Sequence, residues 1–389
     1  MDPPRLPPEL YREIAANLSL PSTRNSLTLL SLVNKDWCNA SQQILFRSFY
    51  EYDEGKPGED EWSVVAKHYQ FLKRITDSPK LASYVRFYAQ YDLSWDPECV
   101  ETYFAEDSNL WGLTARALPL MTNLKHLHLS FSNDQGPHAC RQLLEACNFQ
   151  LDTLTWECDD VNDLRQHFIP FLRTQRSLWH LGVGTTVVGP QNSNLSWLPR
   201  DVCPSLISTE SDFGSIVSLA EKRSIVASYM DWKCVDPETM NPGKRIQDEH
   251  LSVLQRLKYL KVAEYSRLRD FSGPVNLDIT LLVLGKWNFE SIKQLDHLPE
   301  LRILSLLECT DLRKSSNEIS AITAFGRCPK LKYVIVQEES DTHLSRHTRL
   351  FITRTGGPDI LGNLPRLNAE PCYIFNHPGT IWWKQYDVN

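Results

Sequence analysis

Leu301-Arg302-Ile303-Leu304-Ser305-Leu306-Leu307-Glu308-Cys309-Thr310-Asp311-Leu312 is the stretch that decides the fold. Alternate residues of a strand point the same way, so Leu304 and Leu306 share one face of a short strand and Leu301 leads into it. The spacing L-x-x-L-x-L recurs on both sides. It precedes this stretch as Leu124-x-x-Leu127-x-Leu129, Leu151-x-x-Leu154-x-Trp156, Leu178-x-x-Leu181-x-Val183, Leu257-x-x-Leu260-x-Val262 and Ile279-x-x-Leu282-x-Leu284, and it follows as Leu331-x-x-Val334-x-Val336. A fainter start stands at Leu206, after Cys203-Pro204. Successive starts are 27, 27, 28, 51, 22, 22 and 30 residues apart, intervals that mark a repeat architecture.

Helical runs lie between several of these strands, at Cys140 to Cys147, Asn162 to Thr174 and Ser316 to Arg327. Each unit therefore reads strand, turn, helix, an α/β solenoid in which a unit buries its apolar face only against its neighbours. An earlier unit is expected at Ala82-x-x-Val85-x-Phe87, with Asp96 to Leu120 as its return helix. The long step from Leu206 to Leu257 holds a degenerate repeat or an insertion. Residues 341–389 do not repeat, and Tyr373, Trp382 and Trp383 could cover an open solenoid end.

The N-terminal stretch has a different pattern. Leu6-Pro7-Pro8-Glu9-Leu10 opens a helix with Leu10, Ile14 and Leu18 four apart, and a proline in the first helical turn lacks only an N–H that would be unpaired anyway. Hydroxyl residues at Ser19, Ser22 and Thr23 can cap a second helix, on which Leu30, Val33 and Trp37 fall at i, i+3 and i+7. A third run carries Ala40, Ile44, Leu45 and Phe49. Three short helices bury only a small core, and a module of this size is marginal alone.

This segment resembles an F-box, the module that docks ubiquitin-ligase substrate receptors onto the Skp-family adaptor of a cullin complex. The matching residues are Leu6-Pro7-x-Glu9-Leu10, Ile14, Leu18, Leu30, Leu32, Val33, Lys35 and Trp37. Asn25 and Asn34 depart from the family pattern. The resemblance implies adaptor contacts from Leu6, Pro7, Leu10, Ile14, Leu18, Leu30, Val33 and Trp37, although Leu30 and Trp37 could equally hold the three helices together. The repeats resemble the cysteine-containing leucine-rich repeats found behind an F-box, most clearly in residues 301–312 and in Cys328-Pro329-Lys330-Leu331. The resemblance thus implies an F-box at 1–50, an acidic linker and amphipathic helix at 51–80, leucine-rich-repeat-like units at 81–340 and a cap at 341–389. It implies a non-catalytic substrate receptor of an SCF-type ligase, holding the adaptor, and through it a cullin, at one end and a target protein on the repeats. A structural or regulatory scaffold that binds the adaptor without a cullin fits the same residues.

Composition bounds the alternatives. The formal net charge of −7 gives no field to attract phosphate backbones, so no nucleic-acid partner is expected. None of the ten cysteines forms C-x-x-C, and no signal segment opens the chain, which favours reduced thiols in cytosol or nucleus. No run approaches the roughly 18 to 20 apolar residues that span a bilayer.

Candidate chemistry is sparse, and no cofactor is expected. His126, His128 and His180 could gather a metal, but the strand pleat also puts solvent-facing polar residues at these positions. Gly182-Val183-Gly184 with Gly189 has the glycines of a phosphate loop without the helix that should follow. His343 and His347 lack a third ligand. What remains is a binding surface. The residues flanking the buried strand pair are polar in the first half of the array. In the second half they include Leu281, Val283, Ile303, Leu307, Tyr333 and Ile335, an apolar patch that is the expected target site unless the tail covers it.

Overall fold

The structure, a computed structural model, describes residues 6–18, 24–50, 61–90, 110–130, 139–157, 164–184, 195, 198–211, 213–230, 252–264, 276–293, 295–309, 317–338 and 348–353. Two compact units emerge, the first from residues 1–53, 59–152 and 162–174 and the second from 54–58, 153–161 and 175–389. The chain is α/β and its described strands pair in parallel, as the repeat pattern requires, except for the last.

In the first unit, helices α1 (Pro8–Asn17), α2 (Arg24–Leu30) and α3 (Lys35–Leu45) lead directly into strand β1 (Ser48–Tyr50). β1 pairs in parallel with β2 (Phe87–Gln90), and β2 with β3 (His126–Ser130). Between β1 and β2 lie α4 (Glu61–Asp77) and α5 (Pro79–Ala82), so the amphipathic run expected behind a linker is the crossover of a β-α-β unit. Strand pairing thus begins at Ser48, inside the segment assigned to the first module. Phe46 and Phe49, at the end of that segment, stack on Phe71 of α4 with ring centroids 6.0 and 4.3 Å apart.

The frame of the earliest repeat also differs from expectation. Tyr88 stands opposite Leu127 and Gln90 opposite Leu129, so the unit reads Val85-x-x-Tyr88-x-Gln90, not Ala82-x-x-Val85-x-Phe87. Tyr88 fills the leucine position, and its hydroxyl is satisfied by a buried polar group of neighbours. It lies 2.7 Å from His68 Nε2 and donates to Gln90 Oε1 at 3.0 Å, an oxygen that Thr114 Oγ1 also reaches at 3.0 Å. Thr114 belongs to α6 (Leu110–Ala117), which lies within the expected return helix. Helices α7 (Ala139–Leu144) and α8 (Ile169–Thr174), the latter preceded by a π-helical turn over Leu164–Phe168, complete this unit.

The second unit runs β4 (Thr153–Glu157), β5 (His180–Gly184), β6 (Ser208–Ser211), β7 (Ala227–Met230), β8 (Tyr259–Glu264), β9 (Leu281–Trp287), β10 (Ile303–Cys309) and β11 (Tyr333–Glu338), each paired in parallel with the next. β12 (Thr348–Thr353) closes the series antiparallel to β11. Helices α9 (Phe213–Lys222), α10 (Phe289–Lys293) and α11 (Asn317–Arg327) fall between strands. The 51-residue step, which opens on β6 behind the faint start at Leu206, thus holds α9 and one extra strand, β7. It escaped the leucine pattern because Thr209, Ser211 and Ser228 occupy the leucine rungs.

One hydrogen-bond device recurs at most of the described strand starts. The carbonyl just before a strand accepts two consecutive N–H groups of the next unit: Arg47 O takes those of Arg86 and Phe87 at 2.8 and 3.1 Å, and Arg302 O takes those of Lys332 and Tyr333 at 2.8 and 3.2 Å. With register fixed, the rung leucines stack: Leu260, Leu282, Leu284, Leu304, Leu306 and Val334 are all buried. Gly182 serves lateral packing, since a Cβ there would lie 3.0 Å from Thr155 Cγ2.

Leu304→Ala, which empties a fully buried rung, should destabilise the protein by about 2 to 5 kcal/mol in chemical denaturation. Ile322→Ala, at an exposed position of α11, should change it by less than about 0.5 kcal/mol.

Candidate functional site: an exposed leucine face on the N-terminal helices

Helix α1 is apolar on two sides. Tyr11, Ala15 and Leu18 turn inward at i, i+4 and i+7, where Tyr11 and Ala15 join Leu27 of α2 and Ala40 of α3 in a small core. Trp37 packs on that core, its ring edge-on to Tyr11 at a centroid distance of 4.8 Å, together with Leu18, Ile44 and Leu45. The other side carries Leu10 and Ile14, each 40% exposed, and continues in the exposed Leu6 and Pro7. The sequence reading put Leu18 with Leu10 and Ile14. The structure moves it to the opposite stripe.

A second correction concerns Leu30, Val33 and Trp37, which do not share one helix. α2 ends at Leu30, Ser31 to Val33 form a turn, and Asn34 starts α3 as an N-cap, its side-chain oxygen accepting from the N–H groups of Asp36 and Trp37 at 3.0 and 2.9 Å. An N-cap asparagine satisfies donors that would otherwise lack partners. That is a local reason for asparagine before Lys35. The turn also throws leucines outward: Leu29, Leu32 and Val33 are 67, 79 and 63% exposed, while Leu30 is half-buried. Leu29 was missed by the sequence reading, because within an isolated helix its position is indistinguishable from that of a core residue.

Of the eight exposed large apolar side chains among the described residues, six lie between Leu6 and Val33; the others are Ile207 and Ile322. Burying one such side chain is worth about 1.5 to 3 kcal/mol. Scattered exposed leucines need no explanation, but a concentration of them marks an interaction surface.

The expected target patch fares differently. Leu281, Val283 and Ile335 are 2 to 5% exposed, and Ile303, Leu307 and Tyr333 are half-buried. Leu281 and Val283 form a cluster with Ala227, against which Trp179, Val226, Tyr259, Ile303 and Leu307 pack. Leu281, Val283 and Ile335 therefore offer little area to a partner, and of the six only Ile303, Leu307 and Tyr333 keep part of their surface open. Tyr373, Trp382 and Trp383 lie outside the described residues, as do His343, His347 and Gly189.

The polar flanking residues are likewise buried instead of solvent-facing, His128, Thr153, Thr155 and His180 among them. Burial pushes the His128 imidazole down to about 3 and lowers that of His126, where desolvation outweighs the nearby Asp152 carboxylate. His180 Nδ1 lies 2.8 Å from Ser208 Oγ. No group of three or more metal-ligating side chains forms among the described residues. Burial pushes the Cys147 and Cys203 thiols up to about 12, which leaves almost no thiolate at neutral pH. An open groove of about 430 Å³ between α7 and α8 is lined by Arg141, Glu145, Cys147 and His167. There Arg141 is occupied by Glu145 at 3.1 Å.

No family model matches the chain, and no curated protein matches it. Among the described residues no helix is long and apolar enough to cross a membrane.

A histidine whose folded value is depressed binds fewer protons in the folded state, so stability falls as pH drops below the unfolded value of about 6.5 and goes on falling to about 3. His128 alone should remove about 2 kcal/mol between pH 7 and pH 5. The check is urea denaturation at the two pH values, with His128→Asn flattening the difference.

Proposed function

We propose that the chain is a substrate-recognition subunit of an SCF-type cullin ubiquitin ligase, with its first three helices acting as an F-box. The observation that carries the proposal is the exposure of the second apolar stripe of α1 together with that of Leu29, Leu32 and Val33. A helical module too small to bury much of its own apolar surface, and apolar on two faces, is suited to docking on a helical partner. The Skp-family adaptor is that partner. Leu6, Pro7, Leu10, Ile14 and Val33 are the contacts that the resemblance and the exposure agree on, and Leu29 and Leu32 extend them. Leu18 and Trp37 act instead as packing residues that hold the helices together.

The remaining strands and helices present a target to an enzyme carried elsewhere in the complex, so that the chain contributes proximity and no chemistry. Continuity of α3 into β1, and the stacking of Phe46 and Phe49 on Phe71, support a fixed mounting of the adaptor module on the first repeats. A ligase needs such rigidity to hold the target at a set distance.

Leu10→Asp with Ile14→Asp should weaken binding to the purified adaptor at least about 100-fold, since apolar anchors at an interface are worth about 2 kcal/mol or more each. The far-UV spectrum and denaturation midpoint should stay unchanged. Trp37→Ala should instead lower the stability of the module. Wild-type protein that fails to bind the adaptor, or a double variant that binds it normally, would refute the reading.

A further inference from the structure

Every strand of the second unit from β5 to β9 sets two side chains on the same pair of rungs. In β5 they are Leu181 and Val183, in β8 Leu260 and Val262, and in β9 Leu282 and Leu284. In β6 they are Thr209 and Ser211, and in β7 Ser228 and Met230. Thr209 Oγ1 donates to the Leu181 carbonyl at 3.0 Å and Ser211 Oγ to that of Val183 at 3.4 Å, while the Ser228 hydroxyl is buried with no hydrogen-bond partner. Hydroxyls therefore stand where neighbouring strands bury leucine.

Two further costs fall in the same repeat. Cys203, five residues before β6, has φ of 51°, a left-handed conformation that a residue with a β-carbon adopts against steric resistance. Arg223, just before β7, is 8% exposed; its Nη2 donates to the carbonyls of Pro199 and Val202 at 2.6 and 2.8 Å, but its Nε and Nη1 have no partner. A buried donor left unpaired loses its hydration without recompense. Unpartnered buried hydroxyls also occur at Ser41, Thr155 and Ser320, but among the described residues only 203–230 combine such atoms with backbone strain and with hydroxyls on the leucine rungs.

We propose that the β6-α9-β7 repeat is a built-in joint of the strand array, the place where it opens locally while the strands on either side stay folded. In an array held by nearest-neighbour contacts, the repeat with the weakest interfaces decides where cooperativity breaks. Opening there releases β4 and β5 from β8 to β12 and lets the two blocks change their angle without either unfolding. The hydroxyl-to-carbonyl bonds of Thr209 and Ser211 are made again on closure, which keeps the joint specific in register. This inference is independent of any adaptor.

Amide hydrogen exchange of the full chain, followed strand by strand, tests it. The amides of β6 and β7 should exchange at least about tenfold faster than those of β5, β8 and β9, because local opening precedes global unfolding. Ser228→Ala, which removes the unpaired hydroxyl without adding bulk, should slow exchange in β6 and β7 and leave β9 to β11 unchanged. Equal protection across β5 to β9 overturns the proposal. So does a Ser228→Ala variant that slows every strand by one factor or slows none.

Discussion

The structure depends on the carbonyl that precedes each strand. By accepting two consecutive N–H groups from the following unit, as Lys258 O does from Thr280 and Leu281, it fixes where the next strand starts whatever the length of chain between them. A slip of one residue would turn every rung leucine to the other face. Repeat lengths can therefore vary widely while Leu260, Leu282 and Leu304 remain in line. The backbone sets the register, and burial of the rung side chains supplies most of the stabilisation.

Against this background the N-terminal helices are unusual for what they leave out of the core. Tyr11, Trp37, Leu27 and Ala40 close a core sufficient to hold α1 to α3 together, and the remaining apolar residues face outward. A monomer gains nothing from that arrangement, since each exposed leucine forgoes the transfer free energy that burial would return. A protein that works bound to another does gain, because the same leucines become the apolar centre of an interface.

Much of the architecture was legible in the sequence. The steps between leucine triplets located β3, β4, β5 and β8 to β11, since each triplet is the direct imprint of a buried strand. The illegible parts have physical reasons. Thr209, Ser211 and Ser228 hide a repeat because short hydroxyl side chains fit the leucine rungs, Thr209 and Ser211 by bonding to a neighbouring carbonyl and Ser228 without a partner. Tyr88 shifts the apparent frame of β2 because its hydroxyl is met by His68 and Gln90. Around the candidate site, the resemblance singles out Leu10, Ile14 and Val33, and all three are exposed. Leu18 was expected on the face of Leu10 and Ile14, and Trp37 was open between contact and packing, because spacing along a helix gives the faces and not which face is inside. Leu281, Val283 and Ile335 were expected to form a target site unless the tail covers it, and the lateral packing of Leu281 and Val283 with Trp179, Tyr259 and Ile303 is not visible from periodicity.

We propose that exposed leucine on the N-terminal helices, and not exposed apolar surface in general, receives the adaptor. A photo-crosslinking side chain placed at Leu32 and, in a separate protein, at Ile322 compares two apolar positions of similar exposure, 79 and 69%. Irradiated with purified Skp-family adaptor, the protein labelled at 32 should form a covalent one-to-one adduct and the protein labelled at 322 should form none. Adducts from both positions in equal yield, from 322 alone, or from neither would contradict the account.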